Sequence, residues 1–336
     1  MNALQFHEHG PPEQVLRLED VPAPALGPNQ VRVRMRLAPV NPSDRNYIRG
    51  TYGKSPETFP AIPGFEGMGE VVESRGLLGK FLQGKRVSVL ADRQGTWAEE
   101  VVVEAKRAIA VPDAVPDVQA AVYFINPATA YLLTQKVHRL GRGDWLLQTG
   151  ASSQVGRMVI RLGRHLGFRT LNIVRSAESA EELRGLGADG CVVHDASRHS
   201  FEDFSDKVSS ALGGAPVRSA IDCIGGALGS RVLRKLSPEG RLVVYGTMSD
   251  APLEVPSRVL MTADRSISGF WLGPWMAKAS LLTKLGILRR LRALHLAGLF
   301  RSEIAGTYVF GEVRRALEQV AEGGKGKVLL CPDARP

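Results

Sequence analysis

Apolar and polar positions follow two textures along the chain. Up to about residue 118 they alternate in short runs, as in Val31-Arg32-Val33-Arg34-Met35 and Arg86-Val87-Ser88-Val89-Leu90, with proline and glycine between the runs. Period-two alternation broken by turn residues predicts a compact β-rich domain. From about Tyr123 short apolar runs at 145–148, 170–174, 191–193, 220–223, 242–245 and 266–270 are separated by helix-length stretches or loops. That pattern predicts an α/β fold in which helices wrap a parallel sheet. Beyond Gly269 the pattern predicts a helix, a β-like run at 306–310, another helix from Glu312 and a last strand at 327–330. The simplest assembly returns this tail to the first domain. Within residues 288–301, Leu288, Leu291, Leu294 and Leu299 fall near helical spacing with arginines between them, which reads as an amphipathic surface helix.

Length and composition narrow the class. A chain of 336 residues suggests about two domains. No apolar run approaches the roughly 20 residues that span a bilayer, so membrane insertion is not expected. The N-terminal residues show neither a secretory pattern nor an Arg-rich presequence. The cytoplasm is the expected location, with an organelle after processing left open. Cys191, Cys223 and Cys331 are scattered with no CxxC pair, which argues against structural zinc and a disulfide framework. The formal charge of +9 comes with no recognised nucleic-acid motif, so nucleic acid is not an expected partner. The same excess suits phosphorylated cofactors and acidic acyl carriers.

The most informative stretch is LLQTGASSQVGRM, residues 146–158. A strand ending at Gly150 and a helix starting near Gln154 bring several backbone N–H groups and a helix N-terminus to one point, an anion site. Gly156 allows close helix-to-sheet packing, as the third glycine of a dinucleotide turn does. Ser153 and Gln154 stand where a middle glycine is usual; they offer hydrogen bonds to a pyrophosphate and narrow the approach to it. The second strand then ends in Arg175, where an NAD site places an acid about 20 residues on. A guanidinium there can grip a 2′-phosphate bidentately, so NADPH is the expected cofactor.

The chain resembles a medium-chain dehydrogenase/reductase over essentially its whole length. The residues that carry the resemblance are Asn41-Pro42-Ser43-Asp44, Arg49-Gly50-Thr51-Tyr52-Gly53, Pro63-Gly64-Phe65-Glu66-Gly67, Asn126-Pro127-Ala128-Thr129-Ala130-Tyr131, the 150–156 turn and Gly269-Phe270-Trp271. Within that superfamily it is most similar to the 2-enoyl thioester reductases and next to the NADPH:quinone oxidoreductases. The resemblance implies a Rossmann doubly wound parallel sheet inserted in a GroES-like β-rich domain, with the active site in the cleft between the two. It implies a first GroES-like part at 1–120, a Rossmann NADPH-binding domain at 121–266 and a return to the substrate domain at 267–336.

It also implies site residues. Zinc enzymes of the superfamily use Cys and His ligands; here Asn41 and Phe65 stand at two of those positions. Neither replaces a thiolate or an imidazole around tetrahedral zinc, so no metal is expected, and Glu66 reads as a structural carboxylate. Tyr52 matches the tyrosine that enoyl thioester reductases place beside the substrate, where a phenol can protonate the α-carbon or stabilise an enolate. Quinone reductases often have a tyrosine in the same loop; the FWxxxW pattern of Phe270, Trp271 and Trp275 favours the enoyl reductases. Asn41 and Trp271 join Tyr52 as catalytic candidates. Thr129, Gly150, Ser152, Ser153, Gln154, Val155, Gly156, Arg175, Tyr245, Phe270 and Lys327 are the cofactor-binding candidates.

The expected activity is NADPH-dependent reduction of an activated C=C bond in a small-molecule or carrier-bound acyl thioester. A quinone or enone reductase is the alternative, and a non-catalytic NADPH-binding protein a third reading. A homodimer is left open.

Overall fold

Burial on both faces turns the short apolar runs of the second half into one sheet. Leu146, Leu147, Leu171, Ile173, Ala220, Ile221, Leu242 and Val243 are all buried, as the strands of a helix-covered parallel sheet must be. In the computed structural model, which describes residues 1–91, 94–323 and 325–332, these strands are β1 (Trp145–Gln148), β2 (Arg169–Val174), β3 (Gly190–Val193), β4 (Ser219–Asp222), β5 (Arg241–Val244) and β6 (Ser266–Gly269). Every neighbouring pair is parallel, in the order β3-β2-β1-β4-β5-β6. That is the doubly wound order, and its direction reverses between β1 and β4. Ligands of such sheets bind beyond the carboxyl ends of the strands at this switch point.

The alternating runs of the first half form a second sheet. Strand Gln30–Pro39 pairs antiparallel with Glu66–Ser74, which pairs with Arg86–Leu90, which pairs with Ala108–Ala110. Strand Glu100–Glu104 also pairs with Gln30–Pro39. The apolar member of each alternation turns inward, and Val31, Val33, Met35, Val71, Val87, Val89, Val101 and Val103 make one core. The tail joins this sheet: Ile304–Val309 runs parallel to Lys327–Cys331, and Leu329 and Leu330 register with Pro39 and Ala38.

Two compact units result: Met1–Ile125 with Arg301–Pro336, and Asn126–Phe300. The chain thus re-enters the first unit at Arg301, later than the boundary at 267. The reason is local: β6 continues the parallel sheet beside β5, and the helix Leu281–Leu296 that follows belongs to the same unit. That helix buries Leu291 and Leu294 of the expected stripe, with Ile287 in place of Leu288, and stops before Leu299. Among the described residues no helix is long and apolar enough to cross a membrane.

Candidate active site

The switch-point turn is built by a left-handed glycine and close packing. Gly150 follows β1 with φ +55°, and a Cβ there would lie 2.4 Å from the Cys223 Sγ. Only glycine takes this conformation at no cost. Gly156 lies in the first turn of the helix Gln154–Leu166, and a Cβ there would lie 2.4 Å from the Ala151 carbonyl oxygen. Ser153 caps that helix, its Oγ accepting from the Gly156 N–H at 3.2 Å. This explains the serine where a middle glycine is usual: it satisfies a first-turn donor that has no partner within the helix. Ser152 is exposed beside it.

Across the switch point, Asp222 at the end of β4 ties the two strand ends together. Its buried carboxylate accepts from the Thr149 hydroxyl and from the Ile224 and Gly225 N–H groups at 3.0 and 3.1 Å. Tyr245, just after β5, turns its phenol toward Cys223 and Ser153, and burial pushes its pKa well above the ordinary phenol value. Its hydroxyl is buried and makes no hydrogen bond among the described residues. A buried hydroxyl without a partner costs about 1 to 3 kcal/mol, so a polar ligand at this turn would relieve it. The tight turn, the helix N-terminus and the orphan hydroxyl therefore fit a dinucleotide pyrophosphate. Val155 is buried behind them, and Gln154 is the first residue of the helix.

Arg175 follows β2 at the same carboxyl edge, exposed and with no ion pair among the described residues. Thr129 is buried in the helix Ile125–Leu132. Phe270 is buried after β6, its N–H donating to the Val244 carbonyl at 2.8 Å. Trp271 is 44% exposed at the head of the helix Leu272–Lys278.

The first unit gathers Asn41 and Lys327 with two carboxylates, Asp44 and Glu66. Asn41 Nδ2 donates to Glu66 Oε1 at 3.1 Å, and Lys327 Nζ donates to Asn41 Oδ1. Glu66 Oε2 accepts from the Ile125 N–H at 3.1 Å. Asp44 accepts from the Asn41 N–H at 2.7 Å and the Phe65 N–H at 2.9 Å. All four side chains are buried. Burial raises the pKa of Asp44 to about 7 against the lowering effect of its backbone donors, and it also raises that of Glu66 and lowers that of Lys327. The ring of Phe65 lies 5.3 Å from that of Tyr47 and 5.0 Å from that of Tyr52. Both ends of the Asn41 amide are thus engaged within this unit, and Lys327 is a buried partner of Asn41.

Sequence reasoning did not find the Asp44–Asn41–Glu66–Lys327 network as a unit, although the NPSD spacing at a helix start was a visible capping signal. It also missed His194, His199 and Asp203, whose ligand atoms lie within 4.8 Å of one another. His194 is buried, and the Arg231 guanidinium sits 2.7 Å from its Nε2. Because arginine can only donate, Nε2 accepts and the proton sits on Nδ1, the atom facing Asp203 at 3.5 Å. Lys207 also holds Asp203 at 2.9 Å. With its lone pair turned to a guanidinium, His194 is a structural imidazole here.

Two surface grooves of the second unit share Lys136 and Thr283. One, about 400 Å³, is lined by Tyr131, Leu282 and Ile287; the other, about 590 Å³, by Arg139, Leu140 and Trp275. Their walls combine apolar and cationic side chains.

Comparison with known proteins gives consistent matches. Residues 27–113 match the alcohol dehydrogenase GroES-like domain, and residues 155–285 match the family described as zinc-binding dehydrogenase. The chain is 34% identical over 296 residues to the mitochondrial enoyl-[acyl-carrier-protein] reductase of Xenopus tropicalis, covering 87% of this chain and 83% of that protein. A Bacillus thuringiensis protein assigned as an NADPH:quinone reductase superposes with a TM-score of 0.90 at 32% identity over 99% of both chains. The Etr1p complex with NADP and crotonyl-CoA superposes with a TM-score of 0.83 at 25% identity, covering 98% of this chain and 99% of that one.

Proposed function

The chain belongs to the medium-chain dehydrogenase/reductase superfamily, on the side of its enoyl reductases, and from that premise we propose that it is an NADPH-dependent reductase of 2-enoyl thioesters. The reaction adds a hydride to the β-carbon and a proton to the α-carbon, giving the saturated acyl thioester and NADP⁺. NADPH supplies the hydride when bound. The backbone of the 150–156 turn, with Ser152, Ser153 and the Tyr245 hydroxyl, holds the pyrophosphate, and Arg175 takes the 2′-phosphate. Thr129 and Phe270 complete the cofactor site. Tyr52 delivers the α-proton from its phenol oxygen and Trp271 lines the acyl chain.

The observation that carries this reading is the chemistry of the residues around Glu66. The amide of Asn41 is closed by Glu66 and Lys327, and Phe65 offers only a ring to Tyr47 and Tyr52. These side chains leave a phenol as proton donor and supply neither a thiolate nor an imidazole for a Lewis-acid metal, which suits reduction of an activated C=C bond. Lys327 then acts by holding Asn41, and Asn41 by holding Glu66 and Asp44, the latter of which fixes the Phe65 backbone whose ring packs on Tyr52. The Lys136 and Arg139 grooves suit the anionic carrier of the thioester.

Quinone reduction is the competing activity, because one of the similar structures is assigned to it. NADPH oxidation with crotonyl-CoA and with 1,4-benzoquinone, measured side by side, tests the proposal. Faster turnover of crotonyl-CoA is expected; equal or faster turnover of the quinone overturns it. A homodimer through the exposed edge strand β6, where Ile267 points outward, belongs to the same reading and is checked by sedimentation. A cytoplasmic location is carried with it and is checked by fractionating expressing cells.

A further inference from the structure

At the end of strand Glu66–Ser74 far from Glu66, the short helix Leu77–Leu82 turns its apolar residues the wrong way for a soluble surface. Leu77, Leu78 and Phe81 are 90%, 48% and 65% exposed. The frame holds them there. Leu82 is buried in the β-sheet core with Val31 and Val33, and Gly79 is packed against Ser74 and Val31. In a helix, positions three and four apart share a face, so anchoring 79 and 82 inward puts 77 and 81 on the outer face and leaves 78 at its edge, the least exposed of the three.

The rim of this apolar tip is cationic. Arg75, Lys80 and Lys85 flank it, and the turn Ala105–Arg107 packs beside the helix with Lys106 and Arg107. Lys85 Nζ lies 3.3 Å from the centre of the Phe81 ring. The acidic neighbours are Glu73, paired with Arg32, and Glu104, paired with Lys106.

We propose that this tip docks the protein peripherally on an anionic lipid bilayer, Leu77, Leu78 and Phe81 entering the headgroup boundary and the lysines and arginines facing lipid phosphates. Such binding scales with the apolar area buried plus attraction to anionic lipid. The alternative occupant is an acidic protein, above all the carrier of the thioester substrate. Placement argues against the carrier. The strand that leads from Glu66 to the tip has nine residues and spans roughly 25 Å at the usual rise, so a carrier seated here is at the opposite end of the strand from Phe65 and Tyr52. Shape argues the same way, because a side chain as exposed as Leu77 projects from the surface.

The choice of lipid over carrier rests on the proposed site at Tyr52, whereas the apolar tip and its cationic rim do not, and the test does not use turnover. The full chain is sedimented with phosphatidylcholine vesicles with and without phosphatidylserine. Binding to the anionic vesicles and little to the neutral ones is expected. Leu77→Asp with Phe81→Asp should lower the bound fraction by about tenfold or more while the melting temperature and NADPH binding stay unchanged. Lys80→Glu with Lys85→Glu should remove the preference for phosphatidylserine. Absence of binding to either vesicle overturns the proposal. So does vesicle binding that Leu77→Asp with Phe81→Asp leaves intact, or capture of an acidic carrier protein through this patch without vesicle binding.

Discussion

At the scale of the residue, the proposed function turns on two side chains, Tyr52 in the first unit and Arg175 in the second. Tyr52 packs its ring on Phe65 in the RGTYG loop, a contact that phenylalanine keeps. Removing one donor to a developing oxyanion commonly costs about 100- to 1000-fold in rate. Tyr52→Phe is therefore expected to melt like the parent protein, bind NADPH equally well and lose most of its kcat on crotonyl-CoA, with a smaller loss on a quinone. Near-parental kcat on crotonyl-CoA would assign the proton to another group. Arg175, exposed after β2, is expected to set the cofactor: Arg175→Ala should weaken NADPH binding by about 1.5 to 3 kcal/mol and leave NADH unchanged, as titration of cofactor fluorescence would read. Equal affinity of the parent protein for the two cofactors would remove the assignment. Both residues stood out in the sequence because a local motif surrounds each. The bond from Lys327 to Asn41 joins positions 286 apart and has no local signature, so the sequence showed two candidates and not their pairing.

At the scale of the element, period and turn chemistry carried most of the reading. The strands of the parallel sheet fall where apolar runs were bounded by glycine and polar residues, and the helix start at Gln154 follows from Ser153 as its cap. What the pattern missed is the allegiance of 267–300. β6 is an edge strand with mostly exposed residues, so its membership in the sheet rests on pairing with β5 and not on a buried face. The turn between β1 and the following helix gives this scale its prediction. Gly156→Ala would put a methyl against the Ala151 carbonyl, and backbone cannot yield as a flexible side chain does. The helix must shift off the sheet, at a cost of about 1 to 3 kcal/mol. Thermal melting should report that loss, and NADPH affinity should fall by roughly tenfold or more, since the helix N-terminus leaves its place. Unchanged affinity would show that the pyrophosphate binds elsewhere.

At the scale of the whole molecule, the tail strand and the N-terminal part of its unit are joined through a buried network of two carboxylates, one amide and one ammonium. This makes the stability of that unit depend on pH in a direction fixed by the shifts. Asp44 titrates near 7 in the fold, and burial raises Glu66 as well; unfolded carboxyls titrate near 4. Between those values the folded chain holds protons that the unfolded chain has released, so stability is greatest at the acid side of the window and falls as pH rises. The slope is about 1.4 kcal/mol per pH unit for each proton retained. Urea unfolding followed from about pH 5 to pH 7 should therefore show a falling free energy. Asp44→Asn loses one acceptor for the Asn41 and Phe65 N–H groups and should be less stable at every pH, with a flatter slope through this window. Lys327→Met removes the cation that opposes the rise at Glu66 and Asp44, so both carboxyls should titrate higher and the falling region should extend to more alkaline pH. The direction is what discriminates: a network held together mainly by its ion pairs would gain stability as its carboxyls ionise. If unfolding free energy rises across the window, or if Lys327→Met leaves the profile in place, burial does not govern these groups and Lys327 is not their counter-charge.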